Sequence, residues 1–486
     1  MNKLNLPKWL LFTLIVIFIF RIPTFFDPFH YGDEMIYLTL GNGIRQGVTL
    51  YSQLHDNKPP LLYLMAGVAG NVFWFRVILA FWNLASIYFF WRLSKILFSK
   101  NVLTQKISTI FFAIFTTIPL FEGNIANAEL FMILPTTLAF LILLSRKLTT
   151  SRILFAGALF AASALFKIPS AFDLFTIVFF WLIVSGLAFK NIKKVVFNTT
   201  ILGLGFVGVI LATFIYYYFA GALKEYIIAA FLQNVGYLSS WRPDDVKLPF
   251  YIKNAPLLIR FGVVILGSIL LFIKRQHLSR EFIFITLWLL FALFGVTLSE
   301  RPYPHYIIQL VPAISLLVGT LIASKNMEQV YAIVPLGLAV FSFSYFNFWH
   351  YPTAPYYTNF IKFASGSINK SEYFDSFNAN TIRNYKIAQI VNTATGKKET
   401  VFVWGSDASI YAISRRLPPI KYVADYHIKD FYSQEETIKQ LKTNPPGVIV
   451  ILPEAESFPT LEMLVKDNYL YFENIDKATI WKKIVK

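Results

Sequence analysis

The sequence predicts an all-α polytopic membrane bundle of about 11 transmembrane helices, followed by a C-terminal α/β domain. Three observations predict it. The chain of 486 residues is 56% hydrophobic, 18% aromatic and only 15% charged, too apolar for water to be its only solvent. Its apolar runs recur at lengths that match the roughly 20 residues needed to cross about 30 Å of hydrocarbon. Its lysines and arginines collect in alternate loops between those runs, as a membrane orientation signal does.

The candidate spans are 8–26, 73–91, 107–121, 128–145, 153–168, 171–189, 197–219, 256–273, 281–298, 305–323 and 328–346. The first follows a short basic stretch and could pass for a signal peptide. It lacks a small-residue cleavage site and runs into Arg21 and Pro23, so it reads as a retained span. One set of loops holds Lys3, Lys8, Arg92, Lys95, Lys100, Lys106, Arg146, Lys147, Arg152, Lys190, Lys193, Lys194, Lys274, Arg275, Arg280 and Lys325. The opposite set holds Asp27, Asp33, Glu34, Asp56, Glu122, Asp244, Asp245 and Glu300. The expected topology is a multi-pass protein of the cell membrane with a cytoplasmic N-terminus and acidic loops outside. The net charge of +17 is therefore an orientation signal and not a nucleic-acid footprint. The chain has no cysteine, which excludes disulfides and thiolate metal sites.

Residues 221–255 form a long outer segment in which 223–238 reads as an amphipathic, tyrosine-rich helix lying in the interface. From 347 the composition changes to 17 basic and 14 acidic residues with no spanning run. This divides the chain into a transmembrane domain, 1–346, and an extracytoplasmic domain, 347–486. In the latter, strands at 400–404 and 447–452 alternate with helices at 407–416, 434–443 and 459–467. That alternation predicts a small, mainly parallel sheet.

The chemistry-bearing residues fall on the acidic side. Ionisable groups at membrane depth are functional candidates by default. Asp33 and Glu34 lie in the first outer loop, and Lys58 lies at its end before Pro59 and Pro60. Proline is favoured in a first helical turn, which explains the prolines but not a lysine opposing the helix dipole. An anionic partner does explain it. Glu122 and Glu129 flank the second outer turn, with Glu129 the preferred candidate. Lys167 and Asp173 bracket the third, and Glu300, Arg301, His305 and Tyr306 precede the tenth span. Each has a plainer reading: Lys167 as a snorkelling cation, Arg301 as the partner of Glu300, His305 as an interfacial ring. Together they suit a lipid-linked phosphate whose chain rests between helices. Its head would meet Lys58, Lys167, Arg301 or His305, while a carboxylate takes a proton from an attacking acceptor. The competing reading is a lipid-sugar flippase or transporter. That class places charge near the bilayer midplane and often shows inverted repeats, whereas here the helix centres are nearly free of charge.

Gly32-Asp33-Glu34 with Tyr37, and Asn57-Lys58-Pro59-Pro60-Leu61-Leu62-Tyr63, resemble motifs of bacterial membrane glycosyltransferases of the GT-C type. These are related to protein O-mannosyltransferases and lipid A aminoarabinose transferases. The stretch 58–98 with Arg76, Asn127-Ala128-Glu129, Leu165-Phe166-Lys167 and Arg301–Tyr306 is similar to further motifs of that family, as are Val403-Trp404-Gly405 and Arg416-Leu417-Pro418. The resemblance implies Asp33 as the catalytic base and Glu34 as a neighbour shaping charge or acceptor binding. It implies Lys58 on the donor phosphate, with Lys167, Arg301 and His305 near it. Glu129 would be a second acidic residue, with Tyr37 and Tyr306 on the acceptor side. It implies a polyprenyl-phosphate-linked sugar as donor, inversion at the anomeric carbon, and a glycan, lipid or protein acceptor outside the cytoplasm. Some members of the family bind a metal; no His/carboxylate spacing here compels one.

Overall fold

The computed structural model describes residues 6–145, 148–234 and 249–484. Lys3, Arg146, Lys147, Asp244, Asp245 and the last part of the 223–238 segment lie outside them. The chain forms two compact units that interleave in sequence. The first comprises Met1–Ile22, Leu79–Tyr216 and Phe231–Thr353; the second comprises Pro23–Ile78, Tyr217–Ala230 and Ala354–Lys486.

Each predicted span overlaps a helical segment, but 107–121 leaves its helix at Phe115 and 171–189 leaves its helix at Ser185. Among the described residues six helical segments are long and apolar enough to cross a membrane: Lys8–Phe25, Val72–Leu97, Ile168–Ser185, Phe189–Phe219, Ala255–Lys274 and Arg280–Thr297. Four shorter apolar helices accompany them, Val102–Phe115, Ala128–Leu143, Thr150–Phe166 and Val311–Ala323. The expected 305–323 span is a 3-10 turn, Pro304–Gln309, followed by Val311–Ala323. The expected 328–346 span is the short helix Glu328–Tyr331 followed by Ile333–Tyr345. In the 223–238 segment, Leu223–Ile227 is α-helical and Ile228–Leu232 forms a π turn.

The first unit is organised about Arg280–Thr297, 89% of which is buried within the protein. A helix apolar on all sides is stable only when neighbouring helices, or lipid, surround it. Here Phe140, Phe284 and Trp288 meet edge-to-face or tilted with ring centroids 4.7–5.9 Å apart. This core fixes the turn that follows the helix, which carries Glu300 to His305.

In the second unit two helices position the site. Gly32–Arg45 starts with Asp33 and Glu34 in its first turn, where the helix dipole favours anions. Leu61–Ala69 follows Pro59-Pro60 and ends at Gly70, whose φ of 69° stops it. They cross where Gly41 meets Gly67. A Cβ on Gly41 would lie 2.9 Å from the Gly67 Cα and 2.7 Å from the Ala66 carbonyl carbon, so only glycine permits this approach.

The C-terminal part carries a four-stranded sheet: β1 Val401–Trp404, β2 Val448–Ile451, β3 Tyr469–Ile475 and β4 Ala478–Lys483, in the order β1-β2-β4-β3. β1 and β2 are parallel, but β4 pairs antiparallel with both β2 and β3. The expected mainly parallel sheet is therefore corrected to a mixed one. The difference is the β3–β4 hairpin, whose turn residues Asp476 and Lys477 both have positive φ without the usual Asn-Gly signature. The helix expected over 407–416 is shorter, Ser409–Ser414. The sheet packs Phe402, Trp404, Ile449, Phe458 and Tyr469 into one core.

Candidate active site

The second unit joins Asp33 to Lys58. The Asp33 carboxylate accepts a hydrogen bond from Tyr37 Oη, one helical turn on, at 2.9 Å, and from Lys58 Nζ at 3.4 Å. The side chains of Lys58 and Asp33 are 24% and 36% exposed. An ion pair that open to water adds about 0–1 kcal/mol to stability, so the fold does not depend on it. Lys58 Nζ also lies 5.0 Å from the Tyr37 ring centroid.

Lys58 is held by its backbone. Its N–H donates to Tyr63 Oη at 3.1 Å, and its carbonyl accepts from Tyr51 Oη at 2.9 Å. Tyr63 in turn donates to Asp56 Oδ2 at 2.8 Å. Burial, then the Asp56 charge, pushes the Tyr63 phenol well above its usual range, so it remains a donor. On its other oxygen Asp56 faces His427 Nε2 at 3.6 Å, from the helix Asp425–Phe431. His427 Nδ1 is buried without a hydrogen-bond partner.

Glu34 points the other way. One residue along a helix turns about 100°, which carries Glu34 from the Asp33 face to the interior. Its carboxylate accepts from Arg76 Nε at 3.1 Å and Nη2 at 2.6 Å. Arg76 Nη1 donates to Asp27 at 2.6 Å and to the Thr24 carbonyl at 3.2 Å. Asp27 also accepts from Tyr356 at 2.9 Å and Tyr373 at 3.0 Å. All three charged side chains are fully buried. Burial raises the Asp27 pKa to about 6 against the opposing pull of Arg76 and the two phenols. This cluster stiffens the base of the helix that presents Asp33.

The first unit assembles Glu129, Lys167, His305 and Tyr306. Lys167 pairs with Glu129 and sits 3.4 Å from the Tyr306 ring centroid. His305 Nδ1 lies 2.6 Å from Glu122 Oε2, and its Nε2 lies 3.9 Å from Glu129 Oε1. Asn127 donates to the same Glu122 oxygen at 3.0 Å. The sequence reading preferred Glu129 to Glu122; the geometry places one on each side of the same imidazole. Arg301 is exposed on the turn after Arg280–Thr297. Glu300, read as its partner, pairs with Arg260. Arg260 escaped the sequence reading, although an arginine inside an apolar run is itself a signal. It lines a cavity of about 410 Å³ whose other walls, including Ile259, Val263, Leu290, Phe294 and Phe346, are nearly all apolar.

Among the described residues no three His, Cys, Asp or Glu side chains converge as ligands of a metal ion.

His427 makes the loop pH-sensitive. Burial lowers its pKa from 6.5, opposed by Asp56 and Asp33 and Asp430, and aided by Lys58. The neutral ring is the folded form, so its contribution is complete above pH 6.5 and declines as pH falls below it. The protection of the Lys58 amide, its exchange rate corrected for the intrinsic pH dependence of amide exchange, should therefore fall on acidification below that value, by at most about tenfold per pH unit. His427→Gln should remove this loss of protection; an unchanged pH profile of protection would disconnect His427 from the loop.

No protein-family model matches the chain, and no curated protein matches it. Solved structures do. ArnT from Cupriavidus metallidurans bound to undecaprenyl phosphate superposes with a TM-score of 0.59 at 11% identity, covering 98% of each chain. The apo form of the same protein gives 0.57 at 12% identity with the same coverage. Over nearly its whole length the chain thus has the fold of ArnT.

Proposed function

We propose that this protein is an integral membrane glycosyltransferase. It moves one sugar from a polyprenyl-phosphate-linked donor to an acceptor outside the cytoplasm. The observation that carries the reading is the Asp33–Lys58 pair: a half-open carboxylate and an ammonium, contributing little to the fold and braced by two buried networks. The full-length fold shared with ArnT, solved with undecaprenyl phosphate, supports the lipid-phosphate donor.

In this reaction the acceptor hydroxyl or amine attacks the anomeric carbon. The bond from that carbon to the phosphate oxygen breaks, and its electron pair leaves on polyprenyl phosphate. Asp33 takes the acceptor's proton, and attack opposite the departing phosphate inverts the centre. Lys58 holds the phosphate and stabilises the charge that develops on it. Lys167, His305 and Arg301 are assigned to the phosphate, Glu129, Tyr37 and Tyr306 to the acceptor side. Glu34, wholly buried against Arg76, shapes charge and position without touching the acceptor. The apolar cavity with Arg260 at its wall suits a prenyl chain. The division into a membrane domain, 1–346, and an outer domain, 347–486, rests on the end of the spanning runs near 347, and the outer placement on the distribution of lysine and arginine.

The decisive experiment supplies the purified chain in proteoliposomes with a polyprenyl-phosphate sugar and an acceptor extract. Transfer releases polyprenyl phosphate; movement of intact lipid-sugar across the bilayer with no release would establish a flippase instead. Lys58→Ala should weaken undecaprenyl phosphate binding roughly 10- to 150-fold, the loss of one charge-assisted hydrogen bond. Unchanged binding would remove Lys58 from the phosphate site.

A further inference from the structure

We infer that a groove of mixed polarity in the second unit binds the acceptor, and that this acceptor is an oligosaccharide carrying negative charge. The inference rests on the glycosyltransferase reading for the word acceptor, but not for the binding itself.

The groove has a volume of about 960 Å³, near the top of the roughly 300–1,000 Å³ range of ligand pockets. It therefore has room for several sugar rings. One wall is the loop from Val48 to Leu54, another is Leu417 to Lys421, and the end is formed by Gln440 and the segment 443–445. The amides of Gln53, Gln440 and Asn444 offer both donors and acceptors, as sugar hydroxyls require. Gln53 is already oriented, because its oxygen accepts the Thr49 N–H at 2.7 Å and its amino group remains to donate. Tyr432 and the prolines 418, 419 and 445 add rigid apolar faces of the kind that pack on the C–H face of a sugar ring.

Charge selects among saccharides. Lys398, Lys421 and Lys483 line the groove against a single carboxylate, Glu399. That carboxylate is engaged by the Gly396 N–H at 2.6 Å. Among the described residues none of the three lysines has a carboxylate within ion-pair distance. Three uncompensated cations around one concavity raise the local concentration of anions.

The groove borders the loop that carries Lys58, although neither Lys58 nor Asp33 lines it. Its two walls are tied by the His55 N–H donating to the Lys421 carbonyl at 2.8 Å. His55 follows the lining residue Leu54 and precedes Asp56, which fixes Tyr63 and through it the Lys58 backbone. A ligand seated between Leu54 and Lys421 thus lies on the same loop that presents Lys58.

The test is calorimetric titration of the full chain in nanodiscs with three probes: tetragalacturonate, a phosphate-monoester glucan tetrasaccharide and neutral maltotetraose. Both anionic probes are expected to saturate, with maltotetraose at least about tenfold weaker. The double variant Lys398→Ala/Lys483→Ala should weaken the anionic probes by about tenfold or more and leave undecaprenyl phosphate binding unchanged. Both lysines are exposed, so folding should persist, and an unaltered thermal midpoint checks it. Binding by only one anionic probe supports the site and assigns the anion as carboxylate or phosphate. Absence of saturable binding, equal affinity for the neutral probe, or indifference to the double variant would overturn the inference. Because no turnover is needed, a chain that binds these probes but transfers nothing would sink the transferase reading and leave the groove standing.

Discussion

Asp33→Asn is expected to give a folded protein whose transfer rate falls by roughly 10²–10⁴-fold, the usual worth of general-base help. Asparagine keeps an oxygen for the Tyr37 hydroxyl, which donates to Asp33 at 2.9 Å, but it cannot accept a proton at neutral pH. The substitution also removes the charge opposite Lys58. That pair is a quarter to a third exposed and adds only about 0–1 kcal/mol to the fold. The thermal midpoint should therefore hardly move while the initial rate collapses. Undecaprenyl phosphate should still bind, because Lys58 is fixed through its own backbone by Tyr51 and Tyr63 and not through Asp33. A variant that retains the full rate would show that another group takes the proton.

The parts of this site that could be read in the sequence are those whose partners are near in the chain or mark themselves chemically. Asp33 and Lys58 are 25 residues apart, joined by one helix and one return loop. A lysine before two prolines at a helix start is an anomaly visible without coordinates. The apolar runs were legible for the same reason, since lipid imposes a length and a composition. The buried brace was not legible. Glu34 reads in sequence as half of an acidic pair, yet the helical rotation between neighbours sends it to Arg76. Tyr356 and Tyr373 reach Asp27 from more than 300 residues away, and nothing local announces them. Glu122 was set aside for Glu129 because adjacency could not reveal that His305 lies between them. The β3–β4 hairpin was missed because its Asp476-Lys477 turn takes a conformation normally advertised by Asn-Gly.

Removing the brace should do the largest damage to the fold. Arg76→Met leaves Asp27 and Glu34 buried without their shared counter-charge, a loss of about 3–5 kcal/mol for one broken buried pair. Arg76→Lys should restore little, since one ammonium cannot reproduce the fork that reaches Glu34 through two nitrogens and Asp27 through a third. The sign of the pH dependence separates charge burial from simple loss of packing. Asp27 has its pKa raised from 3.8 to about 6 by burial, so its ionisation costs stability as pH rises through that window and protonation restores it. Without Arg76 the carboxyl is pushed higher still, and the penalty extends to neutral pH. The deficit of Arg76→Met relative to the wild type, read from thermal midpoints, should thus be smaller near pH about 5 than near pH about 8. Adding Glu34→Gln to Arg76→Met should recover part of the loss by removing one stranded charge. A deficit identical at both pH values, and deaf to Glu34→Gln, would mean that Arg76 serves by its volume and not by its charge.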